Sequence, residues 1–446
     1  MQKNETEKDN LASDTTQEPT QREPTQQEPT QREPTQREPI LTTPNQPLIY
    51  RSTKLNKRSL NSWIEAYMHY TRHDESPERF HLWTAISVLS AAVNRNCWMT
   101  RGYYKCFPNT YILFIGPSGV GKSSSASIGF SLLQESNIPV HVYKDSITPP
   151  ALLTFMSSGN LFQEIDGRLI EKTPVLIFAS ELGNLISQRA GVRELTLLLT
   201  ELFNKQGDHE DTTISRSKII IKKPIISFLG CCFPMWIEEE LPSSSLRSGF
   251  LGRMLVVNET KKRFSNPDVI LDSEDKLLRQ KLIDDLNVIS TLYGEIKFTS
   301  DAHDMWVKWY NTLPTDLSNV ELDVEGFTSR KAQFVQRVAM LRSISRGNDL
   351  LINSEDLLFG VSLINDCEKS LGKFGIKDKT YKNTELVLRR ISSRPGKRIA
   401  YKTLMTSTSK YMNKKMLEEA LDQLRSSGII LFDRLTKEII LNTESQ

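Results

Sequence analysis

The chain has 446 residues, 25% of them charged and 38% apolar, an ordinary globular balance with room for two or three domains. Its formal net charge of +3 is too small to name a partner from bulk electrostatics. No apolar run approaches a membrane span, the N-terminus lacks a signal-peptide core, and five cysteines show neither CxxC nor zinc spacing, so a reduced, cytoplasmic protein is expected.

Residues 1–55 differ from the rest. From Thr20 to Pro39 the chain repeats Thr-Gln-(Arg/Gln)-Glu-Pro with almost no apolar side chains. Proline at every fifth position excludes a helix, and too little surface can be buried to offset ordering entropy. This segment is predicted to be a disordered tail without a site.

Residues 56–107 read as a helical collar. Trp63, Ile64, Tyr67 and Met68, then Phe80, Trp83, Ile86, Leu89 and Val93, recur at three- and four-residue spacing. Ser76-Pro77-Glu78 between them predicts a helix start, with Ser76 as cap.

Residues 108–345 are assigned to the core, which is organised around one stretch. An apolar strand, Tyr111 to Ile115, runs into Gly116-Pro117-Ser118-Gly119-Val120-Gly121-Lys122-Ser123, and a helix from Ser124 to Glu135 follows. This is G-x-x-x-x-G-K-[ST] between a strand and a helix, the context a P-loop requires. The glycines let backbone N–H groups turn inward onto phosphate oxygens, and the helix N-terminus adds its positive end. Lys122 is expected at the β- and γ-phosphates of a nucleoside triphosphate, the Ser123 hydroxyl on Mg²⁺, and Ser124 beside them.

Further on, Thr148 is the predicted cap of a helix opening on Pro149 and Pro150. Gln163 to Ile170 reads as a hairpin about Asp166-Gly167. The strand Pro174 to Phe178 ends on Ala179-Ser180-Glu181, and an acid there can hold Mg²⁺ through water and orient the attacking water. Glu181 is therefore the candidate catalytic acid; the alternative is a first-turn acid serving the next helix dipole. Asp211 to Pro224 alternates and carries Arg216, Lys218, Lys222 and Lys223. It fits a basic hairpin that grips a nucleic acid strand, or a solvated edge protected by lysines. Leu241 to Val257 delivers Arg253, with Arg247 as second choice, from a Gly-rich loop to the start of a strand. A guanidinium so placed at a subunit boundary can act on a neighbour's γ-phosphate.

With these features in order, the chain resembles P-loop ATPases of phages, prophages and plasmids identified as replicative or primase-associated helicases. A broader likeness is to AAA+ helicases of the minichromosome-maintenance and viral superfamily III kinds. The marks are Ser76 to Trp83, Arg101-Gly-Tyr-Tyr-Lys105, Pro108-Asn109, Gly116 to Ser123, Ser146 to Pro149, Ser180 to Gly183 and Gly249 to Arg253. The resemblance implies a homo-oligomeric ring, typically a hexamer, hydrolysing ATP with Mg²⁺ between subunits. It implies Lys122 and Ser123 as ligands, Glu181 as catalytic acid, Arg253 as the arginine acting in trans, the Arg216–Lys218 segment as a DNA-gripping hairpin, and Arg337 as a second sensor. Two departures stand out. Ser180 replaces the usual acid before Glu181, and Gly230-Cys231-Cys232-Phe233-Pro234 lies where a polar sensor is usual; both weaken expected hydrolysis more than binding.

Residues 346–380 are predicted as a helical lid and linker. Residues 381–446 read as a winged-helix module with 13 Lys and Arg against 7 Asp and Glu. Its predicted parts are helices from Thr384 to Ser392, Ile399 to Met405 and Lys414 to Ser426, with Asn413 capping the third, and two wing strands. Arg398, Lys402, Lys410, Lys414 and Lys415 are candidate phosphate contacts on duplex DNA; packing against protein is the alternative use.

The expected fold is thus α/β: a P-loop AAA+-like core, a helical N-terminal collar and a C-terminal winged helix. The expected function is ATP-driven DNA unwinding or translocation in replication of a mobile element, with a primase or initiator as a possible partner. The rivals are an ATP-dependent initiator or helicase loader, and a DNA-binding regulator with a structural nucleotide site.

Overall fold

The computed structural model describes residues 48–51, 57–144, 148–165, 167–185, 189–213, 216–234, 249–315, 326–373, 379–433, 436 and 438–442. The predicted tail lies outside these, apart from four residues of strand β1 (Leu48–Arg51).

The protein is mixed α/β, with a largely parallel central sheet. Its strands are β1, β4 (Tyr111–Ile115), β5 (His141–Lys144), β6 (Leu161–Ile165), β7 (Arg168–Ala179), β10 (Pro224–Cys232) and β11 (Leu255–Asn258), where β2 (Cys97–Arg101), β3 (Tyr104–Cys106), β8 (His209–Thr213) and β9 (Arg216–Ile221) form smaller hairpins. The order is β1-β6-β7-β10-β4-β11, with β5 also on β7. Only β6–β7 is antiparallel among these pairs, and its hairpin turns at Gly167 with φ +72°. Every residue of β4 and of β10 is buried. Continuous apolar strands of this kind belong in the middle of a parallel sheet covered on both faces.

Register decides where the site forms. Ile115 pairs with Cys232 and with Asn258, and Gly230 pairs with Ala179. The carboxyl ends of β4, β7, β10 and β11 are therefore nearly level, so the segments that leave them converge on one edge. In parallel α/β sheets that edge is where ligands bind.

Helices α1 (Trp63–Tyr70) and α2 (Glu78–Val93) pack into the same hydrophobic core as the sheet, which runs without a break from Trp63 to Leu371. The segments named collar, core and lid in the sequence reading thus share one interior. Ser76 is not the cap of α2. Pro77 occupies that position without a side-chain bond, and the Ser76 amide instead donates to Asp74 Oδ1 at 2.9 Å. Thr148 does cap α4 (Pro149–Ser158), accepting from the Ala151 amide at 3.4 Å.

A second, separate core is built from Val387, Ile391, Ile399, Leu404, Leu417, Leu424 and Ile439, among others. Its helices are Lys379–Ser392, Tyr401–Thr408 and Lys414–Ser426, the last capped by Asn413 Oδ1, which accepts from the Met416 amide at 3.0 Å. Ile399 and Ala400 are not the start of the middle helix. They belong to a short strand, Arg398–Ala400, which pairs antiparallel with Glu438–Leu441, itself paired with Ile430–Asp433. Pairing with a strand far along the chain outweighed the local helical spacing.

Candidate functional site

The loop after β4 carries the chemistry. Gly119 and Gly121 sit at φ +77° and +96°, backbone that side chains rarely adopt, and a Cβ on Gly121 would overlap Ser76 Oγ. A Cβ on Gly116 would likewise overlap the Glu259 carbonyl, so the loop is wedged between the β11 exit and the segment before α2. Helix α3 (Lys122–Glu135) then starts with Gly121 as its cap, and no side chain of the cap residue takes up its first N–H groups.

Lys122 is buried, and its Nζ donates to the Gly116 and Pro117 carbonyls at 2.7 and 2.8 Å. The ammonium also lies 4.7 Å from the Phe233 ring centre. Burial lowers its pKa, against an opposing pull from Cys231, Cys232 and Glu181. A lysine taken out of water is prepared to gain from a polyanionic ligand. Ser123 Oγ donates to the Ser180 carbonyl at 3.2 Å, which ties the helix start to the end of β7.

These groups line one cleft of about 610 Å³ together with Ser118, Gly119, Gly121, Ser124, Ser180 and Glu181. The structure therefore brings Lys122, Ser123 and Glu181 together from two separate strands. Hydroxyl and carboxylate oxygens are the hard donors Mg²⁺ takes, usually one or two per site with phosphate oxygens completing the shell. Ser123 and Glu181 fit that role. Among the described residues no group of three or more His, Cys, Asp or Glu could hold a metal unaided.

Sequence reasoning missed one wall of the cleft, formed by Asp74, Glu75 and Ser76 with Lys262, Asn266, Pro267 and Val269. The two segments are bound to each other. Lys262 pairs with Glu75, the Asn266 amide donates to Glu75 Oε1 at 2.7 Å, and Asn266 Nδ2 donates to the His73 carbonyl at 3.1 Å. Burial acts to raise the Asp74 carboxyl, but hydrogen bonds to His81 (2.9 Å) and Ser76 bring it down to about 2. Asp74 is thus ionised at neutral pH. The only sequence signal was the Ser76-Pro77-Glu78 motif, read there as a cap, and nothing in the spacing joins residue 74 to residue 266. At the carboxyl end of β10 the cleft is lined by Cys231, Cys232 and Phe233, with burial pushing the Cys231 thiol up to about 12.

Other expected residues lie elsewhere. Arg253 lines a different cleft, with Glu194, Glu201, Asn204 and Asp211, and donates to the Gly249 carbonyl at 2.7 Å. Burial and the neighbouring Arg330 and Arg337 lower its pKa to about 10. Arg337 does not reach the Lys122 cleft. It is buried, donates to the Asn109 carbonyl, to Asn109 Oδ1 (2.7 Å) and to Asn204 Oδ1 (2.5 Å), and stacks 4.2 Å over Phe203. Its hydrogen bonds are those of a structural strut. Among the described residues, none of those lining the cleft comes from residues 346–380.

The basic hairpin exists as β8–β9, with a bulge between Asp211 and Thr213. Lys218 pairs with Glu210 at 2.8 Å and Lys222 with Asp208 at 2.9 Å, as on a solvated edge. The Arg216 side chain and Arg247 lie outside the described residues. In the C-terminal unit Lys402, Lys414 and Lys415 are exposed, Lys414 lies 3.8 Å from Glu418, and Arg398 lies 3.7 Å from Glu438.

No family model matches the chain, and no curated protein does. Among the described residues no helix is long and apolar enough to cross a membrane, and all five cysteines are free and buried.

Proposed function

We propose that the protein is an ATP-dependent DNA translocase or helicase of the P-loop, AAA+-like kind, working as a ring in replication of a mobile element. In this reading α1 and α2 are the collar and residues 381–446 the DNA-binding winged helix. The observation that carries it is the convergence of the Gly116–Ser123 loop, Lys122, Ser123 and Glu181 on one cleft at the carboxyl edge of the sheet. Lys122 and the loop amides would hold the triphosphate, Ser123 and Glu181 would hold Mg²⁺, and Mg²⁺ would offset charge on the phosphates. Glu181 would also orient the water that attacks the γ-phosphorus. Arg253 lines a separate cleft of its own chain, so its partner phosphate would belong to a neighbouring subunit. The link to DNA rests on the family resemblance and the basic C-terminal unit.

A second reading, an assembly switch that binds ATP and turns it over slowly, is favoured by one observation. The thiols and ring of Cys231 to Phe233 stand at the cleft where a hydrogen-bonding sensor would aid hydrolysis. Labelled-ATP retention, DNA-stimulated phosphate release and strand displacement on a fork separate the readings. Lys122→Ala is expected to abolish retention, and Glu181→Gln to keep it while cutting turnover about 10²-fold or more. Retention with turnover but no displacement selects the switch. Wild-type protein that retains no nucleotide overturns both.

A further inference from the structure

The hairpin of β2 and β3 carries an aromatic surface that the nucleotide cleft does not use. It turns at Gly102, with φ +57°, and puts Tyr103 at its tip with the side chain 104% exposed. Tyr104 and, on the helix Ser300–Tyr310, Tyr310 are exposed beside it. Each ring is apolar area left to water, which proteins seldom gather without a partner.

Cations sit among these rings. The Arg101 guanidinium lies 5.6 and 5.8 Å from the Trp306 and Tyr310 ring centres and pairs in register with Tyr104, whereas Lys105 turns to the other face of the hairpin, 3.8 Å above the Trp98 ring. The framework is fixed from behind. Arg101 donates to Gln336 Oε1 at 2.6 Å, Gln333 Nε2 donates to the Tyr104 hydroxyl at 3.2 Å, and Gln206 bonds both the amide and the carbonyl of Lys105. A cleft of about 730 Å³ runs beside the hairpin, lined by Arg101, Tyr103, Lys297, Phe298 and Trp306. Among the described residues its one carboxylate, Glu295, lies 3.8 Å from Lys297.

We propose that this face is a stacking platform for single-stranded nucleic acid, with Tyr103 and Tyr104 receiving unpaired bases and Arg101 and Lys297, which line the cleft beside them, meeting the phosphates. Interleaved rings and cations match a chain that alternates flat bases with anions, whereas a protein partner's apolar patch would find no benefit in the cations. Paired bases expose no face to a ring, so the platform selects single strands. The inference rests on DNA as the partner, though not on the nucleotide cleft or the C-terminal unit.

The test is anisotropy of a labelled oligothymidylate with full-length protein, alongside labelled-ATP retention and sedimentation of the same samples. Tyr103→Ala with Tyr104→Ala is expected to weaken oligonucleotide binding about tenfold or more. Tyr103→Phe with Tyr104→Phe is expected to restore it, since stacking needs the ring and not the hydroxyl, and ATP retention should not change. Unchanged binding in the alanine variant overturns the platform and leaves DNA as partner intact. Wild-type protein that binds no oligonucleotide overturns both. An alanine variant that loses self-association in parallel with binding overturns it in favour of an interface between copies.

Discussion

Lys172 is the clearest single-residue feature that the Lys122 cleft does not use. It is fully buried in β7, and its Nζ donates to Asn94 Oδ1 and Gln163 Oε1 at 2.7 Å each and to Asn96 Oδ1. All three acceptors are neutral. Burial therefore dominates and lowers its pKa to about 7, helped by Arg95 and opposed by Cys97. The unfolded chain holds this proton up to its ordinary value near 10, so from pH 7 upward the unfolded state binds more protons than the folded one. Stability then rises with pH over that window, by about 1.4 kcal/mol per unit at most. Unfolded thiols begin to ionise near pH 8.5 and act in the opposite direction, which sets the upper end of a clean measurement. Between pH 7 and 8.5 the melting temperature of wild type should climb relative to Lys172→Met, whatever the variant's absolute stability. Parallel pH profiles would mean that Lys172 stays charged in its amide cage.

At the scale of elements, the same contrast between local and long-range forces decides what could be read in advance. The strand–loop–helix from Tyr111 to Glu135 was legible because glycine positions, apolar run and lysine all lie within one local segment. The cap at Asn413 and the hairpin at Gly167 were legible for the same reason. The capping box of the helix Ser273–Ile289, with Asp272 and Asp275 bonding each other's amides, was equally local and went unread because its apolar pattern is weak. Asp74 and Asn266 could not be joined from sequence, since only the folded sheet brings their segments to one cleft. Arg337 was misplaced for a related reason: its spacing gave a helix, but not which neighbour its buried side would meet. That neighbour is the Asn109–Asn204 pair. Arg337→Met would leave two buried acceptor contacts on Asn109 and a part-buried one on Asn204 unmade, at a cost of about 3 kcal/mol or more. A melting temperature lower by several degrees is expected, with labelled-ATP affinity of the folded protein within about twofold of wild type. A tenfold loss of ATP affinity without loss of stability would instead return Arg337 to the phosphates.

For the whole molecule, the decisive fact is that among the described residues the apolar interior comes in two pieces of very different size. The larger ties α1, α2, the sheet and the helices through Leu371 into one body, which also carries the Lys122 cleft. The smaller belongs to residues 387–439 and includes no residue of the larger. A domain of about 60 residues buries a smaller share of its surface on folding and is correspondingly marginal. Leu417, 1% exposed, sits in that small core on the helix Lys414–Ser426. Leu417→Ala should cost about 2–5 kcal/mol, enough to unfold a marginal unit. Because its packing partners lie in the small core, calorimetry should show an early, low-enthalpy transition in the variant. Labelled-ATP retention should persist through that transition, while binding to a duplex should already be lost at the lower temperature. One cooperative transition that carries ATP retention with it would show that the two interiors fold as a unit, and that the C-terminal residues cannot act as a separable DNA-binding module.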